Sequence, residues 1–168
     1  MDRRTALAIA TVAFLGAPLS IDYAVAQQRS LKDQLVGTWM LVSYDTTPAN
    51  GTKRQIASPK GILIFDAGGR YATFATRGDR PKYRSATNPT TEEIAATVQD
   101  YVAANFGTWS VNEADKTLTR RLEGALNPNN EGSETKATVN LSGDELKITS
   151  VTPAASGNRT DQVYRRAR

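Results

Sequence analysis

The chain has 168 residues, a formal net charge of +4, no histidine and no cysteine. The two missing residue types exclude Ser-His-Asp and Cys-His catalysis, histidine or thiolate metal sites, proximal-histidine haem binding and any disulfide framework. The basic excess is mild and scattered, with Arg165-Arg166 and Arg168 as its one cluster, so it reads as solvated surface and not as a nucleic-acid-binding stripe.

Residues 1–26 read as a signal peptide. Met1-Asp2-Arg3-Arg4 is a short basic start, Thr5 to Leu19 is an almost unbroken apolar run in which Gly16 and Pro18 are breaks, and Ala24-Val25-Ala26 supplies small residues for cleavage before Gln27. The run is shorter than the about 20 apolar residues that span a bilayer core. The expectation is an exported protein, periplasmic or secreted, with no stable membrane insertion after cleavage. Arg3-Arg4 hints at twin-arginine export, whereas Thr5-Ala6-Leu7 fit that motif poorly, so the route stays open. Residues 27–168 read as one domain. A domain of this size buries about two-thirds of the surface its unfolded chain exposes, enough for one core.

Ser30 is placed to cap a helical turn over residues 30–35. A β pattern follows, rich in β-branched and aromatic residues: Val36 to Tyr44, Gly61 to Phe65 and Arg70 to Thr76. Asp66-Ala67-Gly68-Gly69 separates the last two, a tight-hairpin signal. Residues 77–89 are polar and read as a loop. Thr90 with Glu93 forms a capping box, and Ile94, Val98, Tyr101 and Val102 fall on one apolar stripe, which predicts a helix ending at Asn105-Phe106-Gly107. Four more strands are predicted at Phe106–Val111, Thr117–Glu123, Thr135–Leu141 and Glu145–Val151, and a last one at Asp161–Arg166. Eight short strands at hairpin spacing, with one inserted α-helix, give a mainly β, antiparallel fold, either a sandwich or an up-and-down barrel. Gly37-Thr38-Trp39 recurs as Gly107-Thr108-Trp109, an echo that suggests two strands meeting one barrel end in the same way.

Several ordered blocks carry a family likeness. They are Leu35-Val36-Gly37-Thr38-Trp39, Pro59 to Phe65, Gly69-Arg70-Tyr71, Arg80-Pro81, Phe106-Gly107-Thr108-Trp109 and Glu123 to Asn129. In this order they resemble the bacterial lipocalin-like domain family, from about Leu35 to Arg166. The resemblance implies a lipocalin-like, closed antiparallel up-and-down β-barrel of about eight strands, with a helix covering one end. It implies no known reaction. It also implies that Arg166 packs across Trp39 and closes the barrel floor, a cation–π contact worth on the order of 1–2 kcal/mol when desolvated. Arg165 and Arg168 are alternatives for that role. Two positions depart from the family pattern: Arg120-Arg121 stand where histidine is expected, and Asn130 where an aromatic is expected.

The remaining chemistry belongs to Asp, Glu, Lys, Arg, Tyr, Ser and Thr. Glu92-Glu93 suits the first turn of a helix, and Asp66 and Asp144 suit turns. Glu123 follows Arg120-Arg121, so an Arg–Glu pair either fixes a polar ligand group or satisfies itself. By alternation Leu118, Arg120 and Leu122 share one strand face, and Thr119, Arg121 and Glu123 the other. Arg120 then either snorkels to solvent or points into a cavity and recognises an anion. Tyr71, Phe74, Tyr101, Phe106 and Trp109 are candidates to line a pocket or to be ordinary core. The candidate ligand-binding set is Tyr71, Phe74, Tyr101, Trp109, Arg120 and Glu123. No catalytic residue, metal or cofactor is expected, and no nucleic-acid partner; the oligomeric state stays open. An eight-stranded barrel is just wide enough to fill with side chains or to hold one small ligand. The leading expectation is a barrel that binds a small hydrophobic or amphipathic molecule. The alternatives are a filled barrel acting through its surface, and a cyclase- or isomerase-type barrel enzyme.

Overall fold

The computed structural model of the protein describes residues 29–49, 51–99, 101–151 and 158–168, without the side chain of Tyr101. The leader expected at residues 1–26 lies outside the described residues. A one-turn helix, α1 (Leu31–Leu35), comes first, capped by Ser30 Oγ, which accepts from Asp33 N at 3.0 Å. Strands β1 (Gly37–Thr47), β2 (Arg54–Gln55), β3 (Lys60–Phe65) and β4 (Arg70–Thr76) follow, then helix α2 (Thr91–Gln99). Strands β5 (Tyr101–Asn112), β6 (Thr117–Ala125), β7 (Glu134–Ser142), β8 (Glu145–Ser150) and β9 (Arg159–Arg166) complete the chain, with a 3-10 turn at Pro128–Asn130.

Each strand pairs antiparallel with its neighbour in the order β2-β1-β3-β4-β5-β6-β7-β8-β9, and β1 also pairs with β9. That last pairing, from Trp39↔Arg166 to Thr47↔Arg159, joins the sheet's ends. Eight strands thus form a closed up-and-down barrel, and the two-residue β2 is an appendage on the far end of β1. Closure leaves the eight barrel strands no free edge, the usual weak point of an antiparallel sheet. The β3–β4 hairpin turns through Asp66 to Gly69, and Gly69 takes a φ of +84°, where a side chain would be strained.

Alternation sorts the side chains. Leu63, Phe65, Tyr71, Trp109, Leu118, Val139, Leu146, Ile148 and Tyr164 are buried inside the barrel. Burying each large apolar side chain contributes about 1.5–3 kcal/mol, so this packed interior is the main source of stability. The outer wall is less polar than the alternation rule suggests. Met40, Val42, Ile64, Phe74 and Phe106 are all at least 40 % exposed.

Two boundaries lie more than three residues from the expected ones. The helix predicted through Asn105 stops at Gln99, and residues from Tyr101 onward are strand. The capping box is present: Glu93 N donates to Thr90 Oγ1 at 3.2 Å and Thr90 N to Glu93 Oε2 at 2.9 Å. The stripe that followed it is not helical throughout, because β5 pairs with β4 through Thr76↔Tyr101, Ala75↔Ala103 and Phe74↔Ala104. Ladder bonds to a barrel strand outweigh a helical spacing whose apolar residues find little to pack on. Ile94 and Val98 are in fact each 48 % exposed. The other new element is β2, too short to leave a sequence pattern.

Candidate functional site

The two ends of the barrel differ. At one end α1 plugs the floor and three side chains fasten it. Trp39 Nε1 donates to Leu35 O at 2.9 Å. Arg166 donates to Gln34 O at 2.6 Å and to Val36 O at 3.2 Å, and its guanidinium lies 4.1 Å from the Trp39 ring centroid. Glu113, in the β5–β6 turn, accepts from the free N–H groups of Leu31 and Lys32 at 2.9 and 3.0 Å. The second tryptophan works at the same end. Trp109 is buried against Phe65, with centroids 4.6 Å apart, and its Nε1 donates to Asp66 O at 3.2 Å. Each indole of the echoed Gly-Thr-Trp triplets therefore ties down main chain that closes the floor: helix α1 for Trp39, the β3–β4 turn for Trp109.

The other half of the barrel is not filled. A cavity of about 710 Å³ lies between the C-terminal end of α2, the start of β5, the end of β6 and the segment through Pro128. Its polar lining includes Tyr44, Thr73, Asn105, Arg120, Thr135 and Gln162; its apolar lining includes Val98, Val102, Leu122, Leu126 and Ile148. Among the described residues no Asp or Glu lines it. Thr135 Oγ1 is buried and has no hydrogen-bond partner among the described residues, and Thr135 stands opposite Arg120 in the β6–β7 register.

Arg120 points inward, between the buried Leu118 and Leu122. Its guanidinium lies 5.6 Å from the Tyr71 ring centroid. Tyr71 is buried just beneath the cavity, and its hydroxyl bonds Asn105 Oδ1 at 2.9 Å. Burial pushes the phenols of Tyr44 and Tyr71 up and that of Tyr164 up to about 12, and in each case the Arg120 charge opposes the rise. Three tyrosines thus sense one interior cation.

The six residues singled out from the sequence separate in the structure. Arg120 lines the cavity, Tyr71 supports it from below, and Trp109 belongs to the floor core. Phe74 faces outward, because Thr73 and Ala75 on either side of it are buried and alternation leaves it no inward course. Glu123 also faces outward. It is the extra residue where the register shifts between Phe106↔Gly124 and Gly107↔Leu122. Its carboxylate makes a bidentate pair with Arg70, 2.7 Å on each oxygen, and the Arg70 bond holds its pKa below the usual carboxylate range. The partner is therefore Arg70 across β5 and not Arg120 or Arg121. The side chain of Tyr101 lies outside the described residues.

The lipocalin-like domain model matches residues 36–167. The chain belongs to the lipocalin-like domain family. Among solved structures, this lipocalin-like chain is similar to a lipocalin-like protein from Bacteroides uniformis, at 18 % identity and a TM-score of 0.42, over 79 % of this chain and 98 % of that one. It is also similar to a mutant of the fluorescent protein UnaG, at 12 % identity and a TM-score of 0.36, over 80 % and 97 % of the two chains. No curated protein sequence matches it.

Sequence reasoning missed most of the lining of this lipocalin-like barrel: Tyr44, Thr73, Asn105, Thr135 and Gln162. Thr73 and Thr135 were legible in principle, each two residues from an inward neighbour on its strand. Tyr44 was not. The β1–β9 register shifts between Leu41 and Ser43, and the extra residue, Val42, re-aims Tyr44 into the barrel.

Proposed function

We propose that this lipocalin-like barrel binds a small, partly apolar molecule in the open half of its interior. The observation that carries the reading is the cavity of about 710 Å³, which falls within the range of small-molecule sites and has a mixed apolar and polar lining. A filled barrel acting only through its surface would have no such space. The family's barrel fold is compatible with ligand binding in general and does not specify the ligand. We further propose that the protein acts after export, in the periplasm or outside the cell. The basic start, apolar run and Ala24-Val25-Ala26 site support this. Among the described residues no helix is long and apolar enough to cross a membrane.

Native mass spectrometry of the protein purified from its host's periplasm or medium tests both parts. The expected result is an N-terminus at Gln27 and a stoichiometric small-molecule adduct, identified after denaturing extraction. A clean apo mass, with no thermal shift against a panel of lipids, quinones and aromatics, would remove the binding reading. An uncleaved chain confined to the cytoplasm would remove the export reading.

A further inference from the structure

We infer that the cavity's occupant is an amphiphile with a carboxylate head, bound head-down against Arg120. This rests on the binding reading above and specifies the ligand's head group and orientation.

The charge balance of the cavity is the first argument. Arg120 is a permanent cation, and among the described residues no ion pair or hydrogen bond engages its guanidinium and no acidic side chain lines the cavity beside it. The nearest acid in sequence, Glu123, is committed to Arg70 on the outer wall. Arg120 is half-buried, and a cation that faces a roomy cavity with no acid beside it favours an anionic occupant. The tyrosine hydroxyls around it are held in their neutral form by burial, so they do not supply that anion.

Geometry selects among anions. A guanidinium presents paired N–H donors that match the two oxygens of a carboxylate. The lining's other cation, Lys136, pairs with Glu134 at 3.6 Å, so Arg120 alone awaits a counter-charge and a dianionic phosphate would bring an uncompensated one into the barrel. Thr135 stands opposite Arg120 in register with a buried Oγ1 that has no partner among the described residues, placed to donate to an oxygen that Arg120 holds. The arrangement of the lining gives the orientation. Arg120 lies over Tyr71 of the packed core, whereas Val98, Val102, Leu126 and Pro128 line the cavity from α2, the start of β5 and the segment after β6, interspersed with Gln99, Asn127 and Asn130. The polar head therefore sits deep and the apolar body fills the space toward α2.

Calorimetric titration with dodecanoate, its methyl ester and dodecyl phosphate, on the protein and on Arg120→Gln, tests the inference. Dodecanoate should bind the protein about tenfold or more tightly than the ester, the value of one good charge-assisted pair, and more tightly than the phosphate. In Arg120→Gln that preference should collapse while the ester still binds. Equal binding of acid and ester by the protein overturns the head-group inference and leaves the cavity reading standing. An acid preference that survives in folded Arg120→Gln also overturns it. Binding of none of the three overturns the head-group inference, and the cavity reading falls separately if the native mass is also clean. If Arg120→Gln does not fold, the comparison of acid with ester on the unaltered protein still decides.

Discussion

The Arg166 guanidinium lies 4.1 Å from the Trp39 ring centroid, and the same side chain bonds two carbonyls at the C-terminal end of α1. Trp39 is fully buried and also bonds α1 through Leu35 O. The floor plug, the first strand and the last strand thus meet at one pair. Trp39→Ala should cost about 3–5 kcal/mol in urea unfolding, the usual loss for a large buried aromatic. Arg166→Lys keeps the charge but not the forked donors, and should cost about 2 kcal/mol. Neither should alter which ligands bind, since both lie below the cavity. A Trp39 variant of normal stability that has lost binding would contradict this division of labour.

Glu123 offers a pH test. Its bond to Arg70 lowers its pKa, so the folded state holds the carboxylate ionised more strongly than the unfolded chain does. A depressed acid contributes stability above its unfolded pKa and loses it as pH falls through the folded one. The pair is exposed, and the effect should be small and salt-sensitive. Glu123→Gln should melt slightly lower than the parent near neutral pH. The gap should close as pH falls through and below the usual carboxylate range, or in high salt, and ligand affinity should not change. A large loss of binding in this variant would place Glu123 in the site after all.

How much of this was legible in the sequence follows from what is local. The β3–β4 hairpin, the Ser30 cap and the Thr90–Glu93 box each depend on a few adjacent residues, and each is present in the structure. The start of β5 depends on pairing with β4, a partner many residues away, so its helical spacing misled. Tyr44 depends on a bulge: strict alternation from Trp39 aims Ser43 and Asp45 inward, and Val42 shifts the frame. Alternation on β6 narrowed Arg120 to two facings, and only the closed barrel shows that the face it shares with Leu118 and Leu122 is the inner one.

Tyr164 offers a test at alkaline pH. Burial pushes its pKa up to about 12, so the folded state favours the neutral phenol. A raised acid contributes stability that is full below its unfolded pKa and is lost as pH rises through the folded value. For Tyr164 that window runs from about pH 10 to about pH 12. Tyr164→Phe removes the hydroxyl that bonds Gln162 Oε1 at 2.7 Å and should be less stable at neutral pH. Its deficit should shrink across the same window, measured as unfolding free energy against pH. A constant deficit from pH 8 to 12 would mean that Tyr164 ionises freely while folded.

Gly107 is fixed by space and not by backbone conformation. It faces inward between Tyr71 on β4 and Leu122 on β6. A Cβ there would land on the Arg121 carbonyl oxygen and crowd the Glu123 amide. Those atoms belong to the β6 backbone at the bulge, which cannot move without breaking the β5–β6 ladder. Gly107→Ala should therefore cost about 2–3 kcal/mol, more than an ordinary glycine-to-alanine change in a strand, which tends to stabilise. It should also weaken ligand binding, because Leu122, its partner in register, lines the cavity, and Arg120 sits two residues along the same strand. Gly124→Ala is the informative comparison. There the clash is with the ring of Phe106, an exposed side chain that can swing away, so the cost should be smaller and binding should be retained. If the two variants lose equal stability, the rigid-backbone argument for Gly107 fails, and the bulge is softer than its contacts imply.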